Sequence, residues 1–465
     1  MSLPDLDALA QAIGADRIVR DEAQLDARRH DYWALSHVRD KVGTPAPRPG
    51  ALVRPRSVED VRQVLRFAND RRIAVIPFGL GSGVVGGVIA SPDAIMLDMG
   101  DMAAVRSIDP VNLLASFDAG HNGLAAEEAV AAQGLTIGHW PQSVAVSTVG
   151  GWVATRASGQ LSTGYGNIEE IVHSIEAVLP SGDVVTLGKG PRASAGPDLR
   201  QLMLGSEGTL GVITGVTLSL RRAPEAKAVS CFEAPTMRAG FELQREIVQR
   251  GWRPPVMRQY DERESGRQWA DAKACLIMIA HEGPAALVEA ERSAVAAMAA
   301  EASVASAPGD VVDRWFGHRN TVPSWDALLS RGLVVDTVEV SADWSRIGDI
   351  YDDAVASLKG IEGLIAGSAH SSHVYRSGLN LYFTFAVQTS ATEQMEPAYL
   401  EGWRRIMEST ARQGGSVSHH HGIGRVRRDW LAAELGETGV AMLRRVKAAL
   451  DPNGIMNPGV LIPDG

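Results

Sequence analysis

GLGSGVVGG, residues 79–87, is the stretch on which the fold turns. It holds five glycines in nine positions and follows Ile73-Ala-Val-Ile76, an apolar run of strand length closed by Pro77. Within it Gly81, Gly83 and Gly86 match the G-x-G-x-x-G spacing, in which missing Cβ atoms let backbone N–H groups approach a diphosphate. That spacing marks a nicotinamide-binding unit only where it opens a helix. Here Val88, Ile89, Ser91 and Pro92 lead toward a second strand, Ala94-Ile-Met-Leu-Asp98, so the Rossmann reading loses its context. A backbone nest for a diphosphate needs no helix. A tight turn between strands is the plainer alternative.

The text around the loop alternates in the α/β manner. Ala51 to Val53 is an apolar run; Ser57-Val-Glu-Asp60 starts a helix with Val58, Val61, Val64, Leu65 and Ala68 on one face. Leu113 to Asp118 reads as a strand, and Leu124 to Gln133 as a helix stopped by Gly134. From Ile171 to Leu220 short β-rich runs alternate with turns. After Glu225 glycines thin out and longer helical windows appear, as in Ala285 to Glu301. At Gly414 a His-rich loop, a basic stretch and a helix from about Thr438 to Leu450 begin. The expected units are residues 1–222, 223–413 and 414–465.

Composition limits the function classes. A chain of 465 residues with 45% hydrophobic and 22% charged residues is globular and long enough for several packed units. A net charge of −10 gives no overall positive field for nucleic acid. Cys231 and Cys275, the two cysteines, match no metal-ligand or redox spacing and fit a reducing compartment. The start, MSLPDLDALAQAIGADR, carries acids where a secretion signal carries bases, and no apolar run approaches the roughly 18 residues of a membrane span. A cytoplasmic protein with no integral membrane segment is expected.

Two further segments lack any helical or strand period. One runs from Gly138 to Gly159 and continues through Tyr165-Gly-Asn167; the other is Gly205-Ser-Glu-Gly-Thr-Leu-Gly-Val-Ile-Thr214. Their small residues and hydroxyls suit loops that line a cofactor. His419, His420 and His421 sit between Gly415 and Gly422. Adjacent imidazoles do not converge as ligands by themselves, so no metal site is expected, and a base or hydrogen-bond donor is the functional reading. Tyr382, in Leu379-Asn-Leu-Tyr-Phe-Thr-Phe385, reads as a strand tyrosine packing its ring. Arg258 reads as an arginine at a strand end.

In this order the three glycine-dense segments resemble the FAD-binding domain of the vanillyl-alcohol oxidase, or PCMH-type, family. That family includes D-lactate, glycolate and D-2-hydroxyglutarate dehydrogenases and alkyldihydroxyacetonephosphate synthase. Similarity is greatest to the synthase branch, through Ser147 to Gly159, Tyr165 to Glu169, Gly190 to Asp198, Gly205 to Thr214 and Ser418 to Gly424. The resemblance implies an α+β fold: an FAD domain of two small α/β subdomains, then a cap domain with an antiparallel sheet.

It also implies where FAD would lie. Pro77, Gly79, Gly81, Ser82, Gly83, Val84, Gly86 and Gly87 would cradle the pyrophosphate. Pro141, Ser143, Thr148, Gly150, Gly151, Trp152, Thr155, Arg156 and Ser158 would line the diphosphate and isoalloxazine. Glu207, Gly208, Gly211, Val212 and Ile213 would hold the adenosine end. The first loop has no histidine to carry flavin covalently, so FAD is expected to be non-covalent.

By the same resemblance Tyr382 matches the synthase acid/base tyrosine, Arg258 an arginine needed at the active site, and His139 a nearby histidine. Two departures are notable. The dehydrogenases carry a paired metal-binding histidine motif, of which His373 is present while Tyr382 replaces the second. Trp325 stands where the synthase has its phosphate-binding arginine, with Arg319, Arg331 and Arg376 as candidate substitutes. The leading expectation is an oxidoreductase that moves hydride from a carbon bearing a hydroxyl beside a carboxylate to flavin N5. A non-redox, synthase-like exchange is the alternative. The partners would be a small-molecule substrate and an electron acceptor of undetermined kind; a homodimer is compatible with the chain.

Overall fold

The computed structural model describes residues 6–463 except 270, 271, 273, 322 and 323, so the first five residues of the acidic start lie outside it. The glycine loop emerges from a four-stranded sheet with spatial order Ile18–Val19, Ala51–Val53, Ala94–Asp98, Ala74–Phe78. The last three strands are parallel, which requires cover on both faces; Ala51–Val53 and Ala94–Asp98 are buried throughout. Helix Val58–Arg71 supplies part of that cover. Ser57 caps it by accepting from the Asp60 amide, and Val61, Val64, Leu65 and Ala68 are buried. The chain's end returns here, where Met456 bridges Val75.

A second, antiparallel sheet runs Val105–Asp109, Leu114–Asp118, Val212–Ser219, Val172–Val178, Val184–Leu187. Its first hairpin turns at Leu113, whose φ of 54° keeps it out of the strand expected to include it. Asn122 caps helix Gly123–Ala131 by accepting from two amides.

The cap is one seven-stranded antiparallel sheet, ordered Ala305–Ala307, Ala226–Ala234, Cys275–Gly283, Val256–Tyr260, Leu364–Ser371, Gly378–Gln388, Leu333–Asp343. Alternation splits each strand between two environments. Met257, Ile277, Ile279, Phe383 and Phe385 join a core with residues of helices Met237–Gln249, Trp344–Leu358 and Met395–Arg412. Arg258, Tyr260 and Tyr382 alternate with these and belong to the opposite face.

Helix Ala34–Val42 enters the cap core although it precedes the first glycine loop in sequence. Leu35 and Val38 are buried there, and Trp33 Nε1 donates to Tyr399 Oη at 2.8 Å. Near the other end, helix Leu431–Leu450 starts before the expected Thr438 and is interrupted at Gly436 (φ 67°, ψ 163°). No helix among the described residues is long and apolar enough to cross a membrane.

Candidate active site

Strand register lines up a row of side chains across the cap. Tyr260 lies opposite His370, His370 opposite Tyr382, and Tyr382 opposite Glu339. The rings stack: Tyr260 and His370 at 5.1 Å, His370 and Tyr382 at 4.9 Å with planes 11° apart. Arg258 stands two residues from Tyr260 on the same face. Its Nε donates to Tyr260 Oη at 3.0 Å and its guanidinium lies over Trp315 at 5.1 Å. Among the described residues no carboxylate pairs with it. One face thus presents a guanidinium and, two strands away, a phenol.

The histidine loop closes over that phenol. Tyr382 Oη hydrogen-bonds His420 Nε2 and lies 3.2 Å from His421 Nε2. Beneath the loop, Glu339 accepts from the backbone amides of His419 and His421 and from Ser418 Oγ. Arg427 pairs with Glu339 at 2.9 Å and donates to the Gly422 carbonyl at 2.7 Å. Burial is the strongest single influence and would raise the Glu339 carboxyl, but the Arg427 charge, the neighbouring His421 and His419 rings and the His419 amide together hold the group below its ordinary value. On the rings desolvation outweighs the opposing charges, Glu339 beside His419 and His421 and Arg258 and Arg427 beside Tyr382. It raises the Tyr382 phenol and lowers His419 and His421 to about 4, with His420 well below its ordinary value, so all four are neutral at pH 7.

Two of the three adjacent imidazoles do converge, together with His373. Their nitrogens, however, are engaged with neighbours. His419 Nδ1 faces His420 Nδ1 at 2.7 Å, and His419 Nε2 lies 2.6 Å from Tyr375 Oη. His373 lies between Ser372 Oγ (2.8 Å) and the Gly159 carbonyl (2.9 Å). Tetrahedral ligands at about 2.0–2.1 Å sit roughly 3.3 Å apart. The Nδ1 pair is closer than two ligands of one tetrahedral ion, so any shared ion would have to use the other ring nitrogens of His373, His419 and His420.

The three glycine-dense loops meet beside this cluster. At Gly79 a Cβ would sit 2.6 Å from Thr148 Oγ1, and at Gly208 3.0 Å from Pro77. Gly81 (φ 70°) and Gly86 (φ 73°) adopt backbone that favours glycine. Among the described residues no amide from Leu80 to Gly86 donates within the chain. Thr148 caps helix Val149–Thr155, accepting from Gly151, and Arg156 ends that helix in left-handed backbone. Glu207 then fastens the assembly. Its amide donates to the Ala154 carbonyl, and its carboxylate accepts from Ile423 and Gly424, directly after the histidines. Ser158 donates to Asn167, which also accepts from Tyr375. Pro141, Ser143 and Gly211 lie in the same loops, whereas Gly150 is in helix Val149–Thr155 and Ile213 in strand Val212–Ser219.

Three expected positions sit differently. His139 is fully buried with its ring against Trp152 at 4.6 Å and neither nitrogen hydrogen-bonded among the described residues; burial lowers it to about 3. Trp152 donates to Ser147 Oγ inside the second subdomain's core, and Val212 lies in the first subdomain's core. Their side chains support the loops by packing. Trp325, likewise, lies against Tyr32 and His37, beside helix Ala34–Val42. Sequence reasoning does not single out Glu339, Arg427, His370 or Tyr375, because each sits among other polar residues of its segment and carries no distinguishing pattern.

Residues 49–188 match the FAD binding domain family and residues 223–461 the C-terminal domain of FAD linked oxidases. The chain belongs to the FAD-linked oxidases. An uncharacterized FAD-linked oxidoreductase, YgcU, of Escherichia coli O157:H7 is 34% identical to this FAD-linked oxidase, covering 98% of each chain. Alkyldihydroxyacetonephosphate synthase of Dictyostelium discoideum is 30% identical over 92% of this chain and 75% of its own length. The mitochondrial cytochrome D-lactate dehydrogenase of Arabidopsis thaliana is 27% identical over 89% and 74%.

Among solved structures, an alkyldihydroxyacetonephosphate synthase superposes with a TM-score of 0.82 at 27% identity, covering 98% of this chain and 86% of that one. p-Cresol methylhydroxylase superposes at 0.78 with 15% identity, over 99% and 96%, and shows the shared PCMH-type fold. FAD is therefore the cofactor of this FAD-linked oxidase. The undonated amides of the first loop and the glycines that a Cβ would block fit a diphosphate in close backbone contact.

Proposed function

We propose that this FAD-linked oxidase dehydrogenates a small hydroxy acid at the carbon bearing the hydroxyl. The observation that carries the reading is Arg258, a buried guanidinium with no carboxylate in an ion pair with it among the described residues, on the same sheet face as Tyr382. A buried guanidinium without a directly bonded carboxylate is matched by an anionic substrate, and a carboxylate fits its planar fork. Arg258 would hold that carboxylate, while Tyr382, flanked by His420 and His421, would receive the hydroxyl proton. Bound FAD, held non-covalently by the loops around Gly79, Thr148 and Glu207, supplies the hydride acceptor. Glu339 and Arg427 fix the histidine backbone so that Tyr382 keeps its two imidazole neighbours.

The relatives named D-lactate dehydrogenase support the redox reading. Synthase-like exchange is the second reading, favoured by the higher identity to the synthases; Trp325 opposes it, because an indole packed against Tyr32 and His37 offers a phosphate no cation. The deciding experiment is an anaerobic visible titration of the purified protein with D- and L-2-hydroxy acids. Bleaching of the flavin band supports dehydrogenation and identifies the substrate class. An unbleached yellow protein that instead exchanges the acyl group of acyl dihydroxyacetone phosphate for a fatty alcohol overturns it.

A further inference from the structure

From the substrate-facing phenol, hydrogen bonds run onward through the protein in one line. Tyr382 Oη meets His420 Nε2, His420 Nδ1 meets His419 Nδ1 at 2.7 Å, and His419 Nε2 meets Tyr375 Oη at 2.6 Å. Tyr375 donates to Asn167 Oδ1 at 3.2 Å, and it also walls a surface cavity of about 340 Å³ with Ser341, Ser416 and Glu434.

One assignment of protons satisfies every link. Asn167 Oδ1 is an acceptor, so Tyr375 donates to it and accepts from His419 Nε2–H. His419 Nδ1 is then bare and accepts from His420 Nδ1–H, which leaves His420 Nε2 to accept from Tyr382. His421 Nε2–H completes the set by donating to Tyr382 Oη. The chain has a single polarity, away from the substrate face.

We propose that Tyr382, His420, His419 and Tyr375 form a proton wire that carries the substrate's hydroxyl proton from the reacting carbon to the Tyr375 cavity. This rests on the hydroxy-acid reading above. In each turnover the substrate C–H bond delivers a hydride to oxidised FAD, and the substrate O–H bond breaks, leaving one proton to dispose of. That proton bonds to Tyr382 oxygen as the Tyr382 proton passes to His420 Nε2. His420 Nδ1–H passes to His419 Nδ1, His419 Nε2–H to Tyr375 oxygen, and the Tyr375 hydroxyl, turning its own proton from Asn167 Oδ1 toward the cavity, releases it to water there. Both rings end in the opposite tautomer and must turn back before the next cycle.

Desolvation makes charge costly on every link, disfavouring a Tyr382 phenolate and imidazolium at His419 and His420 alike. A chain that cannot hold the proton at any point has to pass it along its whole length. His419 and Tyr375 act through Tyr382, not on the substrate itself, so a structural role and a relay role need separate readouts.

The test has two arms on the holoprotein. With 15N-labelled histidine, NMR at pH 7 is expected to show His420 protonated on Nδ1 and His419 on Nε2, with coupling across the paired Nδ1 atoms. Imidazolium at either ring, or both rings in the same tautomer, overturns the wire whatever the substrate proves to be. In the second arm, stopped-flow bleaching is followed alongside a pH-indicator dye. The wild type should release its proton together with bleaching, whereas in Tyr375→Phe release should lag bleaching at least tenfold. Synchronous release in Tyr375→Phe overturns the wire. If no hydroxy acid bleaches the wild type, the functional reading fails while the tautomer result still decides the relay.

Discussion

Glu339 and Arg427 pair at 2.9 Å with neither side chain exposed to solvent, and between them they hold both sides of the histidine loop. Glu339 takes the amides of His419 and His421; Arg427 takes the carbonyls of Gly422 and Glu339. Removing one partner of such a pair strands the other charge, which costs about 3–5 kcal/mol. Glu339→Ala is accordingly expected to lower the thermal midpoint by many degrees, and Glu339→Ala with Arg427→Met to recover much of that loss. The double variant should remain slow in flavin reduction, because the loop amides still lack their acceptor. Equal activity in the double variant and the wild type would contradict the positioning role.

Tyr382→Phe keeps the ring stacked on His370 and removes only the hydroxyl. General acid–base groups contribute about 10²–10⁴-fold, so the rate of flavin reduction by a bleaching substrate should fall within that range. The visible spectrum of the resting protein should be unchanged. A rate within threefold of wild type would remove Tyr382 from the proton transfer.

Arg258→Met replaces the guanidinium by an apolar chain of similar length beside Trp315 and Tyr260. A hydrogen bond to a charged group contributes about 1.5–3 kcal/mol, so kcat/KM for a hydroxy acid should fall roughly 10- to 150-fold, mostly through KM. The corresponding neutral alcohol should show little difference between the variant and wild type, which a comparison of the two substrates measures directly.

The pH dependence follows from the sign of the histidine shifts. Burial lowers His419 and His421 to about 4, so the neutral, proton-accepting forms prevail above that pH and are lost below it. Flavin reduction should therefore stay level from pH 8 to about pH 5 and fall near pH 4, whereas an ordinary histidine would lose activity already near pH 6.5. The same sign applies to stability. The unfolded chain takes up these protons from about pH 6.5 downward while the folded one does not, so folding weakens between pH 6.5 and 4.

How much of this is legible in sequence depends on whether the cause is local. Strand Gly378–Gln388 follows from alternation, and helix Ala285–Glu301 from its uninterrupted run of helix formers. The glycine loops advertise themselves because positive φ and close approach leave a compositional trace. Glu339 is different: as Val338-Glu-Val340 it reads like the solvated position of a half-buried strand, and only the return of residues 418–427 makes that position the centre of the site. Arg427, in the basic run Arg425-Val-Arg-Arg428, looks like surface charge for the same reason. Helix Ala34–Val42 shows no sign in sequence of crossing to the cap. Contacts such as Trp33 to Tyr399, 366 residues apart, carry no local pattern.

Gly79 supplies the most direct test of the cofactor loops. A Cβ there would lie 2.6 Å from Thr148 Oγ1, the hydroxyl that caps helix Val149–Thr155 by accepting from Gly151. In Gly79→Val either Thr148 gives up its cap, at about 1 kcal/mol, or the loop moves away from it. The second displaces the undonated amides that follow Gly79, and the first frees the helix N-terminus packed against them, so both disturb the groups available to a diphosphate. The fold should survive, since Val75, Ile76 and the parallel strands beside them are untouched. Purified Gly79→Val is therefore expected to keep its far-ultraviolet circular dichroism while retaining FAD at least tenfold more weakly, read as loss of the yellow colour on dialysis. A variant that stays as yellow as the wild type would show that the pyrophosphate does not lie along this loop.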